Sequence, residues 1–243
     1  MFGLGKHALP EGFFRGASDV HCHILPGVDD GFATREASLH ALKKLEEYGV
    51  ERMIFTPHFM KEYPDNHRES IQTLFEEFKG AAEKVTNIEL HLGAEYMLDV
   101  HFLDHFKEGF LTLDQEKTHV LCETSYLMYE PGAGKMLYEV MCEGLQPVVA
   151  HPERYEYASR ERYASWKDKR YKFQLNLLSL VGAYGSTAEA KAHYLLSEDY
   201  YDYIGSDMHS LDKYLHYIPK LRLKTREIDK IGRLLDNNKM LFA

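Results

Sequence analysis

Short apolar segments alternate with amphipathic segments from Asp19 onward, and this alternation constrains the fold more than any other feature. The apolar segments are predicted strands at 19–23, 51–58, 88–95, 118–124, 146–152, 171–179 and 201–209. Strands separated by helical segments are typical of β/α units around a parallel sheet. Because α/β barrels of about this length form one domain, we predict a tail at 1–18 and a single domain over 19–243.

The segments between the strands carry helix signals. In the first of them, Thr34 is a suitable N-cap, Leu39, Leu42 and Leu45 share one side, and Gly49 stops the helix. Further helices are predicted at 67–85, 132–143, 160–168, 187–196 and 225–235, with a shorter element near 100–106. These helices can carry the chain back between parallel strands.

The ends of the predicted strands share one chemical property, because all but one carry a group that can bind a metal ion. In chain order these groups are His21 and His23, His58, Glu95, Glu123, His151, and Asp207 with His209, whereas the sixth strand ends at Asn176. In a parallel barrel all carboxyl ends open on the same face, where active sites are built. The sequence therefore predicts a metal centre at that face.

The segment DVHCHILPGVDDG, Asp19 to Gly31, begins this centre. Alternate side chains of a strand point to the same face, so His21 and His23 can bind one cation together. Asp30 follows a Pro-Gly turn and can return over the same place. Cys22, between the two histidines, is expected to be buried on the opposite face of the strand.

The ligand types restrict the metal chemistry. Imidazoles and carboxylates without thiolates suit Mn, Fe or Zn ions rather than a structural zinc site. With Asp30 included, five histidines and four carboxylates can hold two or three ions if one carboxylate, most naturally Glu95, bridges. Three divalent ions, four carboxylates and one hydroxide leave about one positive charge, which suits an anionic substrate such as a phosphate ester.

Charge and composition argue against several other classes of protein. A net charge of −9 and a pI near 5.9 disfavour nucleic-acid binding, which normally needs a basic face. The three cysteines lack the spacing of a disulfide scaffold, and the N-terminal residues lack a secretory apolar run. The longest apolar runs are far shorter than the roughly 18 residues that span a bilayer. We therefore expect a reduced, cytoplasmic protein without membrane insertion.

Two other phosphate chemistries fail on residue spacing. A cysteine phosphatase has an arginine six residues after its nucleophile, but Val28, Met128 and Val148 occupy those positions after the three cysteines. The segment GAGK resembles part of a P-loop, yet Tyr129 stands where a P-loop has its first glycine and Met136 where it has Ser or Thr. GAGK is therefore interpreted as the entry to a helix.

The chain resembles the polymerase and histidinol phosphatase (PHP) superfamily in segments that follow one another in order: DVHCHILPGVDDG, FTPH, GAEYMLD, CETS, AHPERY, QLNLLSL and SDMH. More closely, HILPGVDDG with AHPERY and SDMH resembles the manganese-dependent bacterial tyrosine-protein phosphatases found with capsule and exopolysaccharide genes. The match covers residues 19 to about 210. It implies a distorted (β/α)7 TIM-like barrel, the PHP fold, with up to three ions, of which Mn²⁺ is the expected metal.

The resemblance also implies which residues share an ion. His21 and His23 hold one ion with Glu95 and Asp207, His58 and His209 hold a second with Asp30, and Glu123 and His151 hold the third with the bridging Glu95. Asp29 is the alternative to Asp30, and its other possible role is to shape the turn. Asn176 has no metal counterpart in this scheme and is expected to be a hydrogen-bonding group behind the ligands.

The reaction implied by the resemblance is the hydrolysis of protein phosphotyrosine. A hydroxide held between two ions attacks phosphorus in line, and the tyrosyl oxygen departs. The implied partner is a phosphotyrosine protein, the tyrosine-rich tail of a bacterial kinase that controls polysaccharide assembly.

Two basic residues are candidates for binding the phosphate, and Arg154 and Asp30 are the predicted catalytic residues. The planar guanidinium of Arg154 can pair bidentately with phosphoryl oxygens, although an ion pair with Glu153 or another surface acid is the alternative. Related enzymes can carry a further arginine shortly after SDMH, where this chain offers only Lys213 as a substitute.

Two alternative functions remain at this point. The same ions could serve a small-molecule phosphatase of the histidinol-phosphate kind. A binding module without catalysis, whose metal site only orders the barrel, is the other alternative.

Overall fold

The computed structural model describes residues 5–242, so the first four residues of the predicted tail lie outside the described part. Ahead of the first strand, the backbone of His7 exchanges hydrogen bonds of 2.7 and 2.9 Å with the backbone of Leu223. The first strand begins at Ala17, slightly before the predicted start. This early segment is therefore attached to the chain that precedes the last helix.

Within residues 5–242 the chain forms nine strands: β1 Ala17–Cys22, β2 Val50–Phe55, β3 His58–Phe59, β4 Glu89–Leu92, β5 Glu95–Met97, β6 His119–Glu123, β7 Gln146–Ala150, β8 Lys172–Asn176 and β9 Tyr203–Gly205. The helices in the same residues are α1 Arg35–Glu47, α2 Arg68–Ala82, α3 His105–Glu108, α4 Ala133–Cys142, α5 Arg160–Asp168, α6 Ser186–Ser197, α7 Leu211–Tyr217 and α8 Thr225–Lys239. None of these helices is long and apolar enough to cross a bilayer.

All strand pairs are parallel, and they form two hydrogen-bonded parts of a curled sheet. One part has the order β1-β2-β4 and the other the order β3-β5-β6-β7-β8-β9. The last strand also returns to the first, because Cys22 pairs with Met208 and Asp207 N donates to His21 O at 2.8 Å. The predicted α/β fold with a parallel sheet is confirmed.

Two of the predicted strands are interrupted. The strand predicted at 51–58 becomes β2 and β3, which are separated by Thr56 and Pro57, and proline has no N–H to donate to a neighbouring strand. The strand predicted at 88–95 becomes β4 and β5, separated by Gly93 and Ala94. A Cβ at Gly93 would lie 3.1 Å from Ile54 Cγ2, so a larger residue here would require the Ile54 side chain to shift.

The helix signals in the sequence agree with the observed helices, except directly after the last strand. Thr34 accepts from Ala37 N and caps α1, and α2 begins directly after His67, as predicted. Helix α7 was not predicted, although Ser210 caps it by accepting from Lys213 N. A seven-residue helix presents too little periodicity for its pattern to be recognised.

The two faces of the sheet have different apolar contents, as the period of two along a strand requires. Ile54, Leu121 and Val148 belong to a small inner cluster, whereas Phe55 and Cys122 belong to the large core under the helices. A register shift in β1 lies between Asp19 and Cys22. Bulges of this kind re-aim side chains near active sites.

Candidate metal centre

The predicted ligand residues converge at the carboxyl ends of the strands. Their ligand atoms form four overlapping groups, within each of which the atoms lie within 4.8 Å of one another: His23, Asp30, His58 and His209; His21, His23 and Glu95; His21, His151 and Asp207; and His58, Glu95 and Glu123. The nine side chains predicted from strand ends and from the Pro-Gly turn thus share one place. Cys22 is fully buried in the outer core, as predicted.

His21 and His23 face the same carboxylates, as alternation along a strand predicts. His21 Nε2 lies 3.2 Å from Glu95 Oε2 and 3.5 Å from Asp207 Oδ1. His23 Nε2 lies 3.3 and 3.4 Å from the same two oxygens. The Nε2 atoms of the two histidines are 3.1 Å apart, so they converge on a single point between two acids.

Glu95 lies at the centre of the group. Besides the two histidines of β1, its carboxylate lies 3.1 Å from His58 Nδ1 through Oε2 and 2.9 Å from His151 Nε2 through Oε1. Glu123 is closer to His58, at 2.9 Å, than to His151, at 3.9 Å. Glu95 therefore has the position required of a bridging carboxylate.

Asp29 and Asp30 are adjacent in sequence but make different contacts. Asp29 Oδ2 accepts from His58 N and lies 2.9 Å from His23 Nδ1, while its Oδ1 accepts from Gly31 N. Asp30 Oδ1 lies 3.4 Å from His58 Nε2 and 3.3 Å from His209 Nε2. Asp29 thus orients the turn and His23 from behind, and Asp30 faces the cluster.

In three histidines, Nδ1 lies close to an oxygen atom that can only accept a hydrogen bond. Nδ1 of His21 lies 2.9 Å from Gln174 Oε1, Nδ1 of His23 lies near Asp29, and Nδ1 of His209 lies 3.0 Å from the backbone oxygen of Asp207. These Nδ1 atoms therefore carry the proton. The Nε2 lone pairs are left free and point into the cluster, as in histidines that ligate metals.

Several buried atoms of the cluster have no hydrogen-bond partner: Glu95 Oε2, Glu123 Oε1, Asp207 Oδ1 and His58 Nδ1. The side chains of the three acids are almost completely buried. Buried carboxylates in this condition are costly unless cations neutralise them. The orphaned oxygens and free imidazole lone pairs fit hard or borderline divalent cations.

The surroundings of the carboxylates favour their ionised form. Burial raises the pKa of Glu95, but His21 and His151, when protonated, outweigh burial and hold that pKa well below its usual value. Burial likewise opposes ionisation of Asp207, but His23 and His21, when protonated, and the Arg154 guanidinium hold its pKa well below the usual value. Ionised carboxylates are the form that binds cations.

Two of the residues in the cluster have a strained backbone. His151 has φ of 30° and Asp207 has φ of 49°, and both values lie in the left-handed region that side chains other than glycine rarely adopt. Strain of this kind is concentrated at functional sites, where surrounding contacts maintain it. His151 directly follows β7, and Asp207 lies shortly after the end of β9. The turn at each position directs the side chain toward the cluster.

Arg154 lies beside the cluster between two aromatic rings. Its guanidinium carbon is 4.3 Å from the ring centroids of both Tyr126 and Tyr184, and Nη1 donates to Asp207 Oδ2 at 2.6 Å. The ion pair that the sequence allowed with Glu153 is not formed; Glu153 instead accepts from Asn176 N, Ser179 Oγ and Tyr201 OH.

A cavity of about 270 Å³ opens over this part of the site. Its walls include Asp30, His58, Arg154, Tyr184 and Lys213, so both predicted phosphate-binding residues face the same space as the cluster. The ammonium of Lys213 lies 4.1 Å from the centroid of the Tyr184 ring. The cavity is therefore lined on one side by the basic side chains of Arg154 and Lys213 and on another by residues of the metal-ligand cluster.

Sequence reasoning missed some residues that shape the site. Tyr126 and Tyr184 were not identified because tyrosine is common in this chain, and the contact between Arg154 and Tyr184 joins distant segments. Gln174 is fully buried, and its Oε1 accepts from His151 N while facing His21. A polar residue within the predicted sixth strand was the available signal. Asn176 donates to Asp207 Oδ2 at 2.7 Å, in agreement with its expected place behind the ligands.

Known tyrosine phosphatases resemble this chain in sequence and in fold. CpsB of Streptococcus pneumoniae, a tyrosine-protein phosphatase, is 27% identical over 206 residues, which cover 80% of this chain and 83% of that protein. A structure from a study of YwqE of Bacillus subtilis and CpsB of S. pneumoniae, described as unique metal-dependent tyrosine phosphatases, superposes with a TM-score of 0.74 at 22% identity and covers 92% of this chain and 93% of the other.

The same fold also occurs in a protein with a different activity. The lactonase Lmo2620 of Listeria monocytogenes has a TM-score of 0.56 at 12% identity and covers 96% of each chain. The fold alone therefore does not identify the reaction. The family profile described as "Capsular polysaccharide synthesis, CpsB/CapC" matches residues 17–233. This chain belongs to the CpsB/CapC family.

Proposed function

We propose that this protein is a metal-dependent phosphatase that hydrolyses phosphotyrosine in proteins. Relatives that match most of the chain are tyrosine-protein phosphatases, and the site has the residues that this reaction needs. The single observation that carries the proposal is the convergence of three histidine Nε2 lone pairs and three orphaned carboxylate oxygens in four overlapping groups of ligand atoms, with Arg154 beside them.

The nine predicted residues would hold two or three divalent cations, for which manganese is our proposal. One carboxylate, Glu95, has contacts on both oxygens and would bridge. When bound, such cations provide Lewis acidity and lower the pKa of water. Thiolate ligands, which would favour zinc in a structural role, are absent from the four groups in the described part of the chain.

Residues of the chain itself would bind and orient the phosphate. Arg154 is fixed between Tyr126 and Tyr184, so little side-chain entropy is lost when its guanidinium binds phosphoryl oxygens. Asp207 accepts from the guanidinium of Arg154 and holds it beside the cluster, and Asn176 in turn donates to the same oxygen of Asp207. Lys213 would contribute a second positive charge from α7, which the Ser210 cap positions.

The leaving group favours a tyrosyl phosphate. A phenol has a pKa near 10, far below that of an alkyl alcohol, so its oxygen can depart with less protonation. The imidazoles around the cavity lie in the cluster of proposed ligands, which leaves few groups free to act as a general acid. An aryl phosphate suits such a site better than an alkyl phosphate such as histidinol phosphate.

Three finer points belong to the same proposal. We propose that the sheet closes into a distorted (β/α)7 barrel, which the hydrogen bonds from Asp207 N to His21 O and from His23 N to Met208 O support. Residues 19–243 would then form one domain after the tail at 1–18. The physiological substrate would be the phosphorylated tail of a bacterial tyrosine kinase that acts in capsule or exopolysaccharide synthesis, a process named in the family description.

The test compares substrates on the same metal-loaded protein. Hydrolysis of a phosphotyrosine peptide well above that of histidinol phosphate and of a phosphoserine peptide is expected. His151→Ala should remain folded by circular dichroism and lose activity. Preference for histidinol phosphate would favour the small-molecule alternative, and metal binding without hydrolysis of any phosphate ester would favour the binding module.

A further inference from the structure

A second cavity, of about 480 Å³, lies beside the proposed active site and has no part in the chemistry described above. Its walls come from the segment after β3 and from the segment that contains α3, and they include Met60, Tyr63, Pro64 and His105. On the second segment Val100 and Leu103 are 77% and 42% exposed. This end of the molecule therefore presents apolar surface next to a polar site.

The two cavities share a wall. His58 lines the active-site cavity, and Tyr63 lines the second one. The two rings are stacked with an interplanar angle of 7° and centroids 6.0 Å apart. Asn66 fixes the intervening turn, because its Nδ2 donates to His58 O and to Val28 O. A rigid aromatic wall thus separates the proposed phosphate position from the second cavity.

The two lysines that line the second cavity each lie close to a carboxylate. Lys107 Nζ lies 3.2 Å from Asp104 Oδ1, and Lys61 Nζ lies 3.7 Å from Glu62 Oε1. Burial lowers the pKa of His105, which favours the uncharged form of its ring. The ring packs against Tyr96 with centroids 4.9 Å apart. Such a lining favours an uncharged apolar group over a second phosphate.

We propose that the second cavity binds an apolar or aromatic side chain that neighbours the phosphotyrosine in a peptide substrate. The inference rests on the proposed function and extends it to the sequence around the phosphorylated residue. An extended chain advances by about 3.3–3.6 Å per residue, so a residue one or two positions away can reach across the Tyr63 wall. Apolar side chains gain free energy when they are buried in a preformed cavity.

The test uses three substrates and the metal-loaded protein. Two phosphotyrosine peptides differ only in having leucine or glycine at the two positions on each side of the phosphotyrosine, and p-nitrophenyl phosphate has no flanking residues. The leucine peptide should have a kcat/KM about tenfold above that of the glycine peptide. Equal values for the two peptides would overturn the inference.

Variants of Met60 test whether the second cavity causes the preference for the leucine peptide. Met60→Glu places a charge in the cavity and should reduce the leucine-to-glycine ratio to about one, while Met60→Leu should retain the preference. Met240→Glu is the matched control, because Met240 is 72% exposed and lines neither cavity. A ratio that Met60→Glu leaves intact would contradict the inference.

The outcomes separate the inference from the function on which it rests. Hydrolysis of p-nitrophenyl phosphate with no preference between the peptides would refute the second cavity as a substrate site and leave the phosphatase intact. Failure to hydrolyse all three substrates under every metal loading would refute both. A preference that depends equally on Met60 and Met240 would show that bulk charge, and not the cavity, causes it.

Discussion

The chain buries carboxylates in two different ways within a short distance of each other. Glu153 is almost fully buried, and both of its oxygens accept hydrogen bonds, from Asn176 N, Ser179 Oγ and Tyr201 OH. Glu95 is equally buried, yet its Oε2 has no hydrogen-bond partner and faces three imidazoles. The first acid joins segments of the fold, and the second has the environment of a metal-binding group.

The difference shows how to distinguish a structural acid from a binding acid. Satisfied buried polar groups stabilise the fold, whereas unsatisfied ones indicate a ligand or a missing ion. Asp19 repeats the structural case, since its oxygens accept from Ser206 N and Ser206 Oγ and lie near His21 N. Burial alone would not have separated Glu153 from Glu95, Glu123 and Asp207, which are also buried.

The largest expected effect comes from removing the central carboxylate charge. Glu95→Gln should lower kcat toward an aryl phosphate by about a thousandfold or more and should reduce the number of bound ions. Kinetic assays with elemental analysis of the same sample measure both. Glu83→Gln, an exposed change in the cap of α2, is the control. Retention of all ions and activity by Glu95→Gln would place Glu95 with the structural acids.

Removing the structural acid, Glu153, should destabilise the fold without reducing the number of bound ions. Glu153→Ala leaves three buried donors without a partner and should lower the free energy of unfolding by about 3 kcal/mol, while the folded protein keeps its ions. Tyr201→Phe removes one of these hydrogen bonds and should cost about 1 kcal/mol. Urea unfolding measures both losses. A Glu153→Ala protein that is stable but depleted in metal would show that Glu153 belongs with the metal-binding acids and not with the structural ones.

Arg154 should affect substrate without affecting metal. Arg154→Lys removes the planar fork and the stacking between Tyr126 and Tyr184, so kcat/KM should fall about a hundredfold with the ion count unchanged. Arg162→Lys is a matched control, because Arg162 also stacks on a tyrosine, with its guanidinium carbon 4.3 Å from the Tyr129 ring. Equal losses in both variants would argue that stacking only stabilises the fold.

The smallest effect is expected from the acid behind His23. Asp29→Asn weakens the group that orients the His23 ring and should lower metal affinity about tenfold without removing an ion at saturation. Metal titration followed by tryptophan or calorimetric signals measures the change, with exposed Asp65→Asn as control. Complete loss of one ion would instead identify Asp29 as a ligand.

Much of the site could be predicted from the sequence because two regular properties of parallel sheets determine which side chains meet. Strand side chains alternate, and parallel strands end on one side, so residues as distant as His21 and Asp207 could be predicted to meet. The structure brings these nine side chains together. Their role as ligands stays a prediction, as do the ions that they would share.

Other features were beyond the sequence because they depend on contacts between distant segments. The pairing of Arg154 with Asp207, and not with the adjacent Glu153, is decided by the positions of different strand ends. The place of Gln174 behind two histidines depends in the same way on β8 lying beside β7. The interruption at Gly93 depends on the close approach of Ile54 from the neighbouring strand, whereas Pro57 was a signal in the sequence, because proline lacks the N–H that a strand interior needs.

The central claim is that the carboxyl ends of the strands hold a multinuclear cation site. Elemental analysis of the full-length protein, loaded with Mn²⁺ and freed of unbound metal, tests this most directly. We predict two or three ions per chain, and fewer in Glu95→Gln. Fewer than one ion per chain under every loading condition would contradict the account.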